Sequence, residues 1–177
     1  MPSQKEIEGY KLELLYSKEK IEEAVQKVAQ RISHDYQGKH PLFLGVLRGC
    51  FIFLSDLVRS IKDVPLEVDF VQVSRYVETT GGDVQWVKTP PPCSGKDVVV
   101  VEDIVDEGPT LSFVLRDLHS QLPASLKVCT LLNKPSRRKI PIFIDYGVFD
   151  IPDLFVVGYG LDIEGRFREL PEIYFLK

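Results

Sequence analysis

The residues with the clearest chemical content lie in one stretch, VVVVEDIVDEGPTL, residues 98–111. A β-branched run ends in Glu102 and Asp103, Asp106 follows, and Glu107-Gly108-Pro109-Thr110 opens what reads as a helix. In parallel α/β sheets ligands sit beyond the carboxyl ends of the strands, so these carboxylates are expected at the ligand edge. A loop entering a helix N-terminus presents backbone N–H groups and a positive dipole end, which suit a phosphate. Gly108 lets that backbone come close, and the Thr110 hydroxyl can add a donor. Bare carboxylates beside such a cup would repel an anion. Ribose hydroxyls that donate to them, or Mg²⁺ that screens them, would remove the conflict. Phosphate, diol and hard cation together describe a phosphorylated ribose carrying pyrophosphate. Any one of the three acids could be a solvated loop residue or a helix cap, but a single strand–loop–helix carrying all three is poorly explained that way.

The elements that must position these groups follow from periodicity. Ile21, Ala24, Val25, Val28 and Ile32 fall at helical spacing, which predicts a helix over 17–36 with Ser17 as its N-cap. A buried strand is expected at 41–47, a turn at Arg48-Gly49, and a helix from Phe51 to Ile61. Residues 65–73 alternate like a strand, with Leu66, Val68 and Phe70 on one face. From Tyr76 to Pro92 the chain reads as a long mobile excursion, with a loose hairpin around Val84, Trp86 and Val87. The run 97–101 predicts a strand buried on both faces. A helix at 109–121 and a strand at 125–132 follow, then shorter strands at 141–145 and 154–158. The tail from 161 reads as a turn of helix and a last strand. Alternating strands and helices predict an α/β fold with a mostly parallel twisted sheet flanked by helices.

With 177 residues, a single domain with a sizeable core is expected. The net charge of −4 argues against a protein that grips nucleic acid through its phosphates. Cys50, Cys93 and Cys129 are odd in number and widely spaced. That pattern predicts neither zinc site nor disulfide, and suits reduced thiols in the cytoplasm. No apolar run approaches the length of a membrane span, and no signal-peptide core is expected at the N-terminus.

The 98–111 stretch resembles the phosphoribosyl pyrophosphate motif of type I phosphoribosyltransferases: apolar strand, two acids, two apolar residues, Asp, any residue, Gly, any residue, Thr. LRGCFIFLSDL (47–57), LLNKPSRR (131–138), FDIPDLFVVGYGLD (149–162) and FRELP (167–171) extend the likeness to the 6-oxopurine branch, the hypoxanthine-guanine phosphoribosyltransferases. The likeness covers nearly the whole chain and implies a roles map. Glu102 and Asp103 would hold the ribose hydroxyls and the Mg²⁺ water shell. Asp106 would be the general base at purine N7. Glu107, Gly108, Pro109 and Thr110 would wrap the 5′-phosphate. Lys134 would contact purine O6, Phe155 would stack on the base, and Val156 would offer backbone groups to its edge. Asp162 would bind a second Mg²⁺ that grips the pyrophosphate, and it is also grouped with the purine-site residues. Arg48, Gly49 and Arg168 would meet pyrophosphate, with a non-proline cis peptide common at that turn in the family. Arg75 and Tyr76 would belong to a closing lid of about residues 74–92. The chain ends, the N-terminal segment and about 149–177, would form a small hood, and a homodimer or homotetramer is implied.

The chain departs from many relatives at Glu107, Pro109 and Arg75. A carboxylate cannot donate to phosphate, so the Glu107 side chain is expected to point away. Pro109 lacks an N–H, though proline suits a first helical turn. Two rival functions would use the same acids: a non-catalytic regulator that senses phosphoribosyl pyrophosphate and binds nucleic acid, and a phosphoacceptor domain with Mg²⁺ beside a phosphorylated aspartate. The first needs a basic surface, whereas only Arg137-Arg138-Lys139 makes a basic run, expected to be a solvated turn. The second leaves Gly108, Thr110 and Phe155 without roles.

Overall fold

A computed structural model describes residues 4–7, 9–75 and 84–177. Its centre is a six-stranded sheet built from β3 (Leu42–Leu47), β4 (Glu67–Arg75), β5 (Val84–Lys88), β6 (Asp97–Val105), β7 (Ser125–Asn133) and β8 (Tyr146–Asp150). The order is β5-β4-β3-β6-β7-β8; only β5 runs antiparallel. Helices α1 (Lys18–Asp35), α2 (Phe51–Ser60) and α3 (Pro109–Ser120) flank it. The Val98–Val101 run is fully buried and serves both faces. Val99 and Val101 pack with Phe43, Phe53 and the apolar stripe of α1. Val98 and Val100 pack with Leu44, Val114 and Leu118 beneath α3. A residue type that β-sheet sterics favour is thus shielded from water on both sides.

α1 begins as its composition predicts. Ser17 Oγ accepts from Lys20 N at 3.3 Å, and Ile21, Val25, Val28, Ala29 and Ile32 form the buried stripe. α3 starts after Gly108, whose φ of 102° lies in the left-handed region, with Pro109 in the first turn.

A second, four-stranded antiparallel sheet stands apart from the core sheet: β1 (Gln4–Ile7), β2 (Tyr10–Tyr16), β9 (Val156–Val157) and β10 (Ile173–Leu176), in the order β1-β2-β10-β9. The two chain ends therefore build a hood. Tyr16 of the hood stacks on Phe149 of β8 at 3.9 Å between centroids, joining the two sheets.

Several expectations are corrected. No strand forms at 141–145; the sixth core strand starts at Tyr146. Pro141 has no N–H to pair, Phe143 is exposed, and Arg138 donates toward the Ile142 carbonyl, so this segment braces a loop instead. The tail holds no helical turn. Glu164, Gly165 and Phe167 all have positive φ, which a right-handed helix cannot contain. β6 runs on to Val105, so Glu102 and Asp103 sit within the strand's last turn of ladder and not after it. Val68 is exposed, although Leu66 and Phe70 of the same face pack against the core; Val71, of opposite parity, is buried on the other face. The strand expected at 154–158 is only two residues long. Ser74, Arg75 and β5 form the flanks of the expected lid, β5 pairing back on β4 as a hairpin. Tyr76 and the lid's centre, 76–83, lie outside the described residues.

Candidate active site

The loop after β6 is set by a strap formed by residues 134–142. Lys134 N donates to Val105 O at 3.0 Å. Arg138 Nε donates to Asp106 O at 2.9 Å, and its Nη2 donates to Val105 O at 3.1 Å and Asn133 Oδ1 at 2.5 Å. Lys139 N and Ile140 N both donate to Glu107 O, at 3.0 and 3.2 Å. Three consecutive carbonyls, 105 to 107, are turned to the strap. A trans peptide is planar, with its N–H opposed to its C=O. The N–H groups of Asp106, Glu107 and Gly108 therefore face away from the strap. Consecutive amides directed to one side make an anion cradle at a helix N-terminus. Gly108 is required twice over, by its φ and because a Cβ would press on Ile142 Cδ1 and Ile140 O.

Glu102, Asp106, Glu107, Gly108 and Thr110 line one concavity of about 100 Å³. Asp106 meets two cations: Arg137 Nε at 3.0 Å on one carboxylate oxygen and Lys134 Nζ at 3.5 Å on the other. Lys134 is 6% exposed, an unusual burial for lysine, and has a second acid, Asp153, at 3.9 Å. Arg137 also reaches Glu107 at 3.2 Å and Asp153 at 3.3 Å. The Glu107 carboxylate pairs with Lys139 at 2.7 Å.

Asp103 does not line that concavity; its carboxylate lies against Gly49. A Cβ on Gly49 would collide with Asp103 Oδ2, and one on Gly160 would collide with Gly49 O. The 48–49 turn is thus layered between a core-sheet acid and a hood loop. Leu47–Arg48 is a cis peptide. Gly160 sits in a run of positive φ (Gly158, Tyr159, Gly160), anchored by Tyr159 Oη donating to Asp56 on α2 at 2.7 Å. Arg168 donates to Gly160 O at 2.5 Å and pairs with Asp162 at 2.7 Å, while Asp162 accepts from Gly165 N at 2.6 Å.

Burial pushes Glu102 well above the usual carboxylate range, and the neighbouring Asp103 adds to it. Asp103 is pushed up to about 6 by burial, against the pull of its bonds from Ile104 N and its own N–H and of the Arg168 charge. Among the described residues neither acid has an ion-pair partner. Two desolvated acids without a paired cation fit a divalent ion, whose charge would favour their ionised forms. No group of three or more metal-ligating side chains occurs among the described residues. Mg²⁺ commonly binds through one or two carboxylates, with water and substrate oxygens completing its shell.

Phe155 stands 54% exposed at the hood, with Val156 buried behind it. Arg48 is exposed at its turn, and nothing is described of the Arg75 side chain. Sequence reasoning missed Arg138, Arg137 and Asp56. The basic run 137–139 is no solvated turn: Arg138 is half-buried against backbone carbonyls, and its neighbours are shared among three acids. The motif LLNKPSRR held that signal only as a likeness.

Removing the Arg138 guanidinium leaves two buried-side carbonyls without their charged donor. Arg138→Ala is expected to cost about 2–4 kcal/mol of stability in urea denaturation and to weaken phosphate binding. Arg138→Lys should recover little, because a point charge cannot reproduce the fork. Asp103 has a folded pKa of about 6 against an ordinary 3.8. Its contribution to stability is therefore complete below pH 4 and lost as pH rises through 6. Asp103→Asn should raise the melting temperature of the ligand-free protein at pH 7.5, with a smaller gain at pH 4.

Residues 12–164 match the phosphoribosyl transferase domain family. The chain is 41% identical over 167 residues to the hypoxanthine-guanine phosphoribosyltransferase of Bacillus subtilis, covering 93% of this chain and 92% of that one. It is 41% identical to the hypoxanthine phosphoribosyltransferase of Escherichia coli K12, covering 92% and 93%. Among solved structures, a hypoxanthine-guanine phosphoribosyltransferase of Bacillus anthracis superposes with a TM-score of 0.86 at 39% identity, over 93% of this chain and 96% of that one. The hypoxanthine phosphoribosyl transferase of Trypanosoma cruzi gives 0.89 at 37% identity, over 98% and 94%. With its strand-end acids, amide cradle and hood, the chain belongs to the phosphoribosyltransferase family, among the hypoxanthine-guanine phosphoribosyltransferases.

Proposed function

We propose that the protein is a purine-salvage enzyme that transfers the 5-phosphoribosyl group of phosphoribosyl pyrophosphate to N9 of hypoxanthine or guanine, giving IMP or GMP and pyrophosphate. The observation that carries this reading is the shared crevice: Asp106 and buried Lys134 stand beside the amide cradle. The amides of 106–108 and Thr110 bind the 5′-phosphate. Glu102 and Asp103 accept from the ribose hydroxyls. The pyrophosphate lies by Gly49, Arg48 and Arg168. Lys134 donates to purine O6, which favours a 6-oxo base over a 6-amino one, and Phe155 covers the base while Val156 meets its edge.

As the bond from C1′ to pyrophosphate loosens, positive charge develops on the ribose. Purine N9 takes C1′ with inversion, and Asp106 receives or stabilises the proton at N7. Arg137 must release one oxygen of Asp106 for this, and Glu107 and Asp153 keep hold of it meanwhile. Mg²⁺ would be held by Glu102 or Asp103 and by Asp162, and its chemistry is neutralisation of the leaving pyrophosphate. Asp162 already has Arg168 as a counter-ion, so the Glu102–Asp103 pair is the more open of the two. Three free buried cysteines suit the reducing cytoplasm, and no helix among the described residues is long and apolar enough to cross a membrane. A homodimer or homotetramer is part of the same proposal, to be read by sedimentation.

Steady-state assays with each base test this directly. Asp106→Asn should lower kcat by roughly 100-fold or more while phosphoribosyl pyrophosphate still binds; unchanged turnover removes Asp106 from the base role. Lys134→Ala should cut use of hypoxanthine and guanine relative to adenine, and equal relative rates would remove the O6 contact.

A further inference from the structure

Glu107 is an odd residue for a phosphate cup: it adds a negative charge next to amides that must receive an anion. Its carboxylate is taken by Lys139 Nζ at 2.7 Å and Arg137 Nη2 at 3.2 Å. Arg137 divides its donors among Glu107, Asp106 and Asp153. Among the described residues, Lys139 pairs with Glu107 alone. The same residue's N–H helps hold the Glu107 carbonyl outward.

We propose that Lys139 is a positioning residue for the 5′-phosphate site, holding the Glu107 carboxylate outside the cup and cancelling its charge. The proposal rests on the reading of residues 106–110 as the 5′-phosphate cradle. Without Lys139, the Glu107 carboxylate keeps only the donor that Arg137 divides with Asp106 and Asp153, and its uncancelled charge, within a Debye length of the bound phosphate (about 8 Å at physiological salt), would repel it. The Lys139 bond also holds the Glu107 carboxyl below its ordinary range, so the charge to be cancelled is present at neutral pH. The Lys139 side chain is 70% exposed, and such surface pairs add little to folding, so the variant should fold.

The test is a double-mutant cycle on the full chain: wild type, Lys139→Ala, Glu107→Ser and the double variant. KM for phosphoribosyl pyrophosphate, KM for the base and Kd for the product nucleotide are measured at low and high salt. Lys139→Ala should raise KM for phosphoribosyl pyrophosphate and Kd for the nucleotide roughly five- to tenfold at low salt, and less at high salt. KM for the base should stay within about twofold, and Lys139→Arg should restore binding. In the Glu107→Ser background, Lys139→Ala should change those values by under about twofold. Equal losses in both backgrounds, or no loss in the single variant, overturn the proposal alone. A wild-type chain that binds neither phosphoribosyl pyrophosphate nor nucleotide overturns the reading of the cradle, and the proposal with it.

Discussion

Everything in the site depends on which way three carbonyls point. Those of Val105, Asp106 and Glu107 are bound to the strap over 134–140, through two charged donors from Arg138 and three backbone amides. Planarity then directs the opposed amides to the other side. The strap is anchored by its own start at the end of β7 and by Asn133, which holds Arg138. A loop of this kind has no repeating ladder to hold it, so it keeps its shape through a half-buried guanidinium that satisfies several acceptors at once and through the strap's backbone amides.

The second layer of the site joins the two sheets. Asp103 at the end of β6, Gly49 in the turn after β3 and Gly160 in the hood are stacked so closely that neither glycine could carry a side chain. Burial raises both the Asp103 and Glu102 pKa values, and Asp103 lies inside this stacked layer. Asp56 on α2 and Tyr159 tie the hood loop to the helix that follows the same turn. Hood and core are therefore held in register where the pyrophosphate is proposed to lie.

Net charge hides the local arrangement. The chain carries −4, yet around the cradle Asp106, Glu107 and Asp153 face Lys134, Arg137 and Lys139, three acids to three cations. Such a cluster is near neutral in the ligand-free state, and its exposed Arg137 and Lys139 pairs rearrange cheaply because such pairs are weak, while Lys134 stays buried. Arg137 can leave Asp106 without losing its other partners.

What the amino-acid order determined alone was local. A β-branched run specified β6, Ser17 and the apolar stripe specified α1, and Gly108-Pro109 specified the entry of α3, since each depends on neighbours within a few residues. The acids at the strand end were legible for the same reason. Where interactions span long separations, periodicity was silent. Arg138 acts on a carbonyl 32 positions earlier, and Tyr159 on an acid 103 positions earlier. The segment 141–145 looked like a strand because it is apolar, but Pro141 and the demands of the loop it braces sent it elsewhere. Only the folded chain decided which glycines are packed without room for a Cβ, which acids lose their water, and which basic residues meet them. Those properties belong to the space between segments.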